Sequence, residues 1–213
     1  LLGGDTVSTP GPLMISITAF GRIPQGKMIH RSGAKVGDQL VVSGTIGDAA
    51  LGLDILKAGR VATALADDAA ARDQLVNRYR VPQPRNALAA AVREFAHATM
   101  DVSDGLAGDL AKLCAASAVS AVIDLKSVPL SKAAATALAS GAISMAEIIS
   151  GGDDYEILCA IPPDAVDEFV GAARTAGVPA CLIGSVIAGD SPPKWLDAEG
   201  QELPLTRTSY SHF

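Results

Sequence analysis

Two carboxylates stand close together in the run Asp101-Val102-Ser103-Asp104-Gly105-Leu106, and Asp109 follows. Like charges at this spacing raise one another's pKa unless a cation neutralises them. Mg²⁺ suits such hard oxygen ligands, taking one or two carboxylates and leaving room for substrate phosphates. The amides that open a helix at Leu106 can face a phosphate as well. A plainer role is open to the same residues: Ser103 or Asp104 could cap that helix. Asp109, one turn into it, reads as a solvated residue. A second run, Gly151-Gly152-Asp153-Asp154-Tyr155-Glu156, joins a double glycine to two acids. Paired glycines allow a sharp turn or a close backbone approach to a ligand. Alternation along a strand would send Asp153 and Asp154 to opposite faces, so the two should have different tasks. An ordinary acidic turn is the alternative. Gly3-Gly4-Asp5-Thr6 repeats the glycine–acid pattern near the start.

Among the basic residues, Arg31 beside Ser32 and Gly33 could fork a phosphate, or simply be a surface arginine. Arg80 and Arg85 bracket Val81-Pro82-Gln83-Pro84 and suit a structural corner. His30, His97 and His212 have neither metal-ligand nor triad spacing. Cys114, Cys159 and Cys181 lie in apolar segments and read as inert core thiols. No residue presents itself as a general base, and no P-loop, nucleophile elbow or GxGxxG is present.

The elements that must position these groups alternate between strand and helix. Strands are expected at Leu13–Phe20, Gln39–Ser43, Ser120–Leu125, Tyr155–Ile161 and Ala180–Val186, from apolar runs or period-2 alternation. Helices are expected from Asp48 onward, over Ala62–Tyr79, Asn86–His97, Leu106–Ala116, Ser131–Leu138, Met145–Ile149 and Asp164–Ala176. Pro82 and Pro84 stop the long one. Asp101–Asp104 then fall at a strand-to-helix junction. The class is α/β or α+β, with a mixed sheet packed by helices. A boundary is expected between Pro24 and Ala34, because Leu1–Gly21 is too short to be a domain and looks like the end of something upstream.

The chain has 213 residues, 49% of them hydrophobic and 19% charged. That is enough to bury a core and excludes disorder. The net charge of −6 argues against nucleic-acid or anionic-membrane partners. The uncharged stretches are shorter than a membrane span and are broken by proline or glycine. Three scattered cysteines suit a reducing cytoplasm.

The motifs gain force from their order. Gly3–Thr6, Arg31-Ser32-Gly33-Ala34-Lys35-Val36-Gly37-Asp38, Ser43–Ala50, Pro82–Arg85, Asp101–Leu106, Gly151–Glu156 and Tyr210-Ser211-His212-Phe213 succeed one another along the whole chain. This series resembles the thiamine-monophosphate kinase family, within the aminoimidazole ribonucleotide synthetase-like superfamily. The resemblance implies ATP-dependent phosphorylation of thiamine phosphate to thiamine diphosphate, assisted by Mg²⁺, in a cytoplasmic homodimer. It implies that 1–21 end an N-terminal ATP- and metal-binding domain, most of it absent here, and that 22–213 are the C-terminal domain. It assigns Asp5, Asp101 and Asp104 to metal, Arg31 and Ser103 to ATP, and Asp153 and Tyr210 to thiamine phosphate. Asp153 stands where the family more often has Glu. An aromatic face and a carboxylate suit the cationic thiazolium ring. Two other activities remain open: another ATP-dependent synthase of the superfamily, or a non-catalytic binding or assembly fragment.

Overall fold

Alternating apolar side chains dictate how the sheet is covered. In β1 (Gln39–Ser43), Leu40 and Val42 join one hydrophobic cluster and Val41 joins another. In β4 (Glu156–Ile161), Leu158 and Ala160 divide from Cys159 and Ile161 in the same way. Successive residues of a strand point to opposite faces, so both faces of this sheet are buried. The computed structural model describes residues 2–205 and 209. Its other strands are β2 (Ala98–Val102), β3 (Ser120–Asp124), β5 (Ala180–Ile187) and β6 (Lys194–Leu196). The order across the sheet is β2-β4-β1-β5-β3-β6. All pairings are antiparallel except β3 with β6, so the expected mixed sheet is present.

Helices cover the two faces unequally. The larger cluster draws on α1 (Asp48–Leu56), α2 (Arg60–Ala64), α3 (Ala69–Arg80), α5 (Leu106–Ser117), α6 (Lys132–Ala139) and α7 (Met145–Ile149). The smaller holds α4 (Ala89–Phe95) and α8 (Val166–Thr175), where Phe95 meets Phe169 edge to face at 6.5 Å. The long helix expected over Ala62–Tyr79 is two. The chain turns after Ala64, and Asp68 caps a new helix by accepting the Ala71 N–H at 2.9 Å. An aspartate that can bond the backbone ahead of it favours a cap over a helix interior.

One expectation fails. Leu13–Phe20 has strand-like alternation, but no described residue pairs with it. A strand needs a neighbour for its backbone groups, and every strand of the sheet lies at or after Gln39. Leu13, Ile15 and Ile17 are at least three-quarters exposed. Covering each would contribute roughly 1.5–3 kcal/mol.

Candidate functional site

Asp101 sits near the end of the edge strand β2, with Val102 beside it buried and its own residue exposed. The chain leaves the sheet through Ser103 and Asp104 and enters α5 after Gly105. Gly105 has φ 105°, and a Cβ there would lie 2.7 Å from the Ser150 carbonyl carbon. Neither Ser103 nor Asp104 caps the helix, whose N-cap is Gly105 with no side-chain bond.

The loop is held from inside the helix. Asp109 is wholly buried, and one carboxylate oxygen accepts the N–H groups of both Ser103 and Asp104 at 2.9 Å. Its other oxygen accepts from Lys112 Nζ at 2.9 Å, and the same ammonium reaches Asp104 at 2.5 Å. Asp109 is therefore no solvated residue. One helical turn turns its side chain back towards the loop that precedes it. The signal available in the sequence was a carboxylate five residues after Asp104, close enough to satisfy loop amides.

The second motif is fastened to the first. Asp153 donates its N–H to the Ser103 carbonyl at 2.8 Å, and Tyr155 donates its own to Val102 at 2.8 Å. Both take left-handed backbone, φ 70° for Asp153 and 53° for Tyr155. Such a conformation costs a non-glycine residue about 1–3 kcal/mol and collects at functional sites. Here it turns Tyr155 outward, and its hydroxyl donates to Asp153 Oδ1 at 3.3 Å. Partial burial and the negative charges of Asp153, Asp101 and Asp104 push the Tyr155 phenol above its usual pKa. Three of the carboxylates singled out in the sequence thus act on the charge of one phenol, and Asp153 bonds it.

Asp154 and Glu156 point the other way, into the molecule. Asp154 accepts from Gly47 N at 2.7 Å and Ala49 N at 3.3 Å, capping α1 from across the fold. The separate tasks expected for Asp153 and Asp154 are observed, although β4 begins only at Glu156. Desolvation pushes the Asp154 carboxyl up to about 8. Glu156 is wholly buried and accepts from Ser43 Oγ at 2.6 Å, Arg78 Nη2 at 3.0 Å, and Arg85 Nε at 2.6 Å and Nη2. Arg85 is the structural corner that the proline bracket suggested, and Glu156 is the partner that spacing alone could not name.

Beside these groups lies a cavity of about 350 Å³. Pro84, Arg85 and Asn86 form one wall, and Thr99, Asp101 and Tyr155 line the side nearest the carboxylates. It is in the size range of small-molecule sites.

The remaining assigned residues are not gathered here. Asp5 lies on the exposed N-terminal segment and bonds the N–H of Thr6. Arg31 is exposed in a turn, where its carbonyl accepts from Ser117 Oγ at 3.0 Å at the far end of α5. Tyr210 lies outside the described residues. Among the described residues no three acidic, histidine or cysteine side chains converge on a metal-sized point. The donor set of Asp101 and Asp104, three residues apart in sequence, has the chemistry that Mg²⁺ takes. It offers two hard oxygen ligands, and Asp104 already attracts a cation in Lys112. His97 bonds Asp38 at 3.0 Å and Lys35 at 3.2 Å, away from these groups. Among the described residues no helix is long and apolar enough to cross a membrane.

The model of the AIR synthase related protein, C-terminal domain, matches residues 35–192. The chain belongs to that family. The AIR synthase-related C-terminal domain so defined takes in every strand of the sheet except β6, and all the carboxylates gathered above. Over its full length the chain is 43% identical to the thiamine-monophosphate kinase of Caulobacter vibrioides and spans 58% of that protein. A crystal structure of the thiamine-monophosphate kinase from Stenotrophomonas maltophilia K279a superposes with a TM-score of 0.73 at 34% identity, over 85% of this chain and 56% of that one. A structure described as AaThiL complexed with AMPPCP and TMP superposes with a TM-score of 0.67 at 26% identity, over 87% and 54%. The chain therefore spans less than two thirds of the relatives it matches.

Proposed function

We propose that the full-length protein transfers the terminal phosphoryl group of ATP to thiamine phosphate, forming thiamine diphosphate and ADP. One observation carries the reading: the Asp101–Asp104 loop and the Asp153–Tyr155 turn are bonded to each other, and one residue of each, Asp101 and Tyr155, lines the same cavity. A site for phosphoryl transfer between two anions needs that pairing, with phosphate-facing carboxylates on one side and an acceptor pocket on the other. The relatives named above support the choice of substrates, since one is a complex with an ATP analogue and TMP.

Asp101 and Asp104 would hold Mg²⁺, joined by Asp5 of the N-terminal segment. The metal, when bound, neutralises phosphate oxygens that would otherwise repel one another. Ser103 and Arg31 would contact ATP, and Arg31 can fork a phosphate where a lysine could not. Asp153 and Tyr210 would contact the thiamine cation, and the cavity lined by Asp101 and Tyr155 has room for a ring of the acceptor. A phosphate oxygen is already nucleophilic, so no general base is required and transfer is direct and in line. The site residues supply position and charge.

We further assign Leu1–Gly21 to the end of an upstream domain whose surface covers the apolar side chains of Leu13–Phe20. The active form would be a cytoplasmic homodimer. The free thiols of Cys114, Cys159 and Cys181 support a reducing compartment.

The test is ADP release by the full-length protein with ATP, Mg²⁺ and thiamine phosphate. Turnover should require thiamine phosphate and vanish in Asp101→Ala. ATP turnover indifferent to thiamine phosphate, or stimulated instead by an aminoimidazole ribonucleotide precursor, would refute the assignment.

A further inference from the structure

The ammonium of Lys112 lies between two carboxylates of unequal freedom. Asp109 is wholly buried and bound to two backbone N–H groups, so it cannot follow a ligand outward. Asp104 is 41% exposed at its side chain, and its Oδ2 takes a charge-assisted bond from Lys112 Nζ at 2.5 Å. Lys112 is 39% exposed at its side chain, on a flexible four-carbon stem. A lysine ammonium carries its charge at neutral pH, and here two carboxylates face it.

We propose that Lys112 is a tethered counter-cation of the metal loop, one that holds Asp104 in place until a divalent ion displaces it. The proposal rests on the reading that Asp101 and Asp104 bind metal. An ammonium has three donors, so on displacement Lys112 can release Asp104 and keep its bond to Asp109. The loop backbone then stays set by Asp109, and only the Asp104 carboxylate changes partner. Lys112 is a positioning residue: it keeps Asp104 ordered and its charge compensated without metal, and it lowers metal affinity by competing for the same oxygen.

Titration of Mn²⁺ into this chain, read by electron paramagnetic resonance, tests this without any turnover. Wild-type binding should be lost in Asp104→Asn. Lys112→Met should bind Mn²⁺ on the order of tenfold more tightly, because a unit charge a few ångströms from the ion is removed at a partly solvated site. The amide resonances of Ser103 and Asp104 should keep their metal-free positions in Lys112→Met, since Asp109 holds them. Lys112→Gln serves as the second variant if the methionine protein misfolds, with the same expectation. Unchanged or weaker binding by a folded Lys112 variant, with wild-type binding still dependent on Asp104, would overturn the proposal and leave the metal site standing. Mn²⁺ binding that ignores Asp104→Asn would overturn the metal assignment itself, and the proposal with it.

Discussion

Glu156→Ala removes the acceptor on which the interior face of the site converges. The native carboxylate takes four bonds, from Ser43, Arg78 and twice from Arg85, with no exposure to solvent. Truncation leaves two guanidinium groups with side chains 9% and 15% exposed and no opposing charge. Arg78 is already under-satisfied, since its Nη1 is buried with no hydrogen-bond partner. Breaking a buried ion pair by removing one member costs about 3–5 kcal/mol. Set against a domain stability of about 5–15 kcal/mol, that is a large fraction. It corresponds to a drop in Tm of about 10 °C for a chain of this size. Urea unfolding followed by the single tryptophan, Trp195, buried in the larger core cluster, reads the change directly. Glu156→Gln, which keeps an acceptor for Arg85 and the shape of the side chain, should lose less. Arg85 lines the cavity with Asp101, so thiamine phosphate binding by the full-length protein should weaken in parallel. A midpoint shift worth less than about 1 kcal/mol in Glu156→Ala would refute the reasoning, because it would mean the two arginines find water or other partners at little cost.

The Asp154 carboxyl, at about 8 in the fold against 3.8 ordinarily, keeps a proton between those values that the unfolded chain releases. Stability should therefore fall as pH rises from about 4 to about 8 and level off above, tempered by the bonds from Gly47 and Ala49. Asp154→Asn should gain on the wild type from pH 5 to pH 8 in urea midpoints, and a constant difference would contradict this. Gly33→Ala would place a Cβ 2.1 Å from the His97 carbonyl oxygen, and should lower stability by roughly 1–3 kcal/mol in the same assay. In the full-length protein, Asp109→Ala should cut kinase activity nearly as far as Asp101→Ala, because it frees the Ser103 and Asp104 amides. An Asp109→Ala enzyme with wild-type turnover would separate loop order from function. Burial pushes the Cys159 thiol up to about 12 and that of Cys114 to about 11. Iodoacetamide should therefore alkylate the half-buried Cys181 first, as mass mapping would show.

Much of the architecture was legible because it is local. Short apolar runs marked β1 and β3, Ser144 and Glu147 form the capping box that opens α7, and prolines ended α3. Motif order carried the family and the list of acids proposed to face phosphate and metal. What the linear chain could not state was partnership across distance. Leu13–Phe20 carries a strand's alternation, but a strand exists only where another backbone meets its donors and acceptors. Asp109 and Glu156 looked like ordinary acids, one in a helix and one in a strand. Tertiary packing buried both, and a buried carboxylate must find donors: Asp109 took the amides of Ser103 and Asp104, and Glu156 took two arginines 71 and 78 positions away in sequence. The sequence by itself determined which carboxylates could do chemistry, since residue type and spacing set their charge and reach. Only the tertiary structure decided which of them face the cavity and which hold it in shape, because desolvation acts on position in the fold.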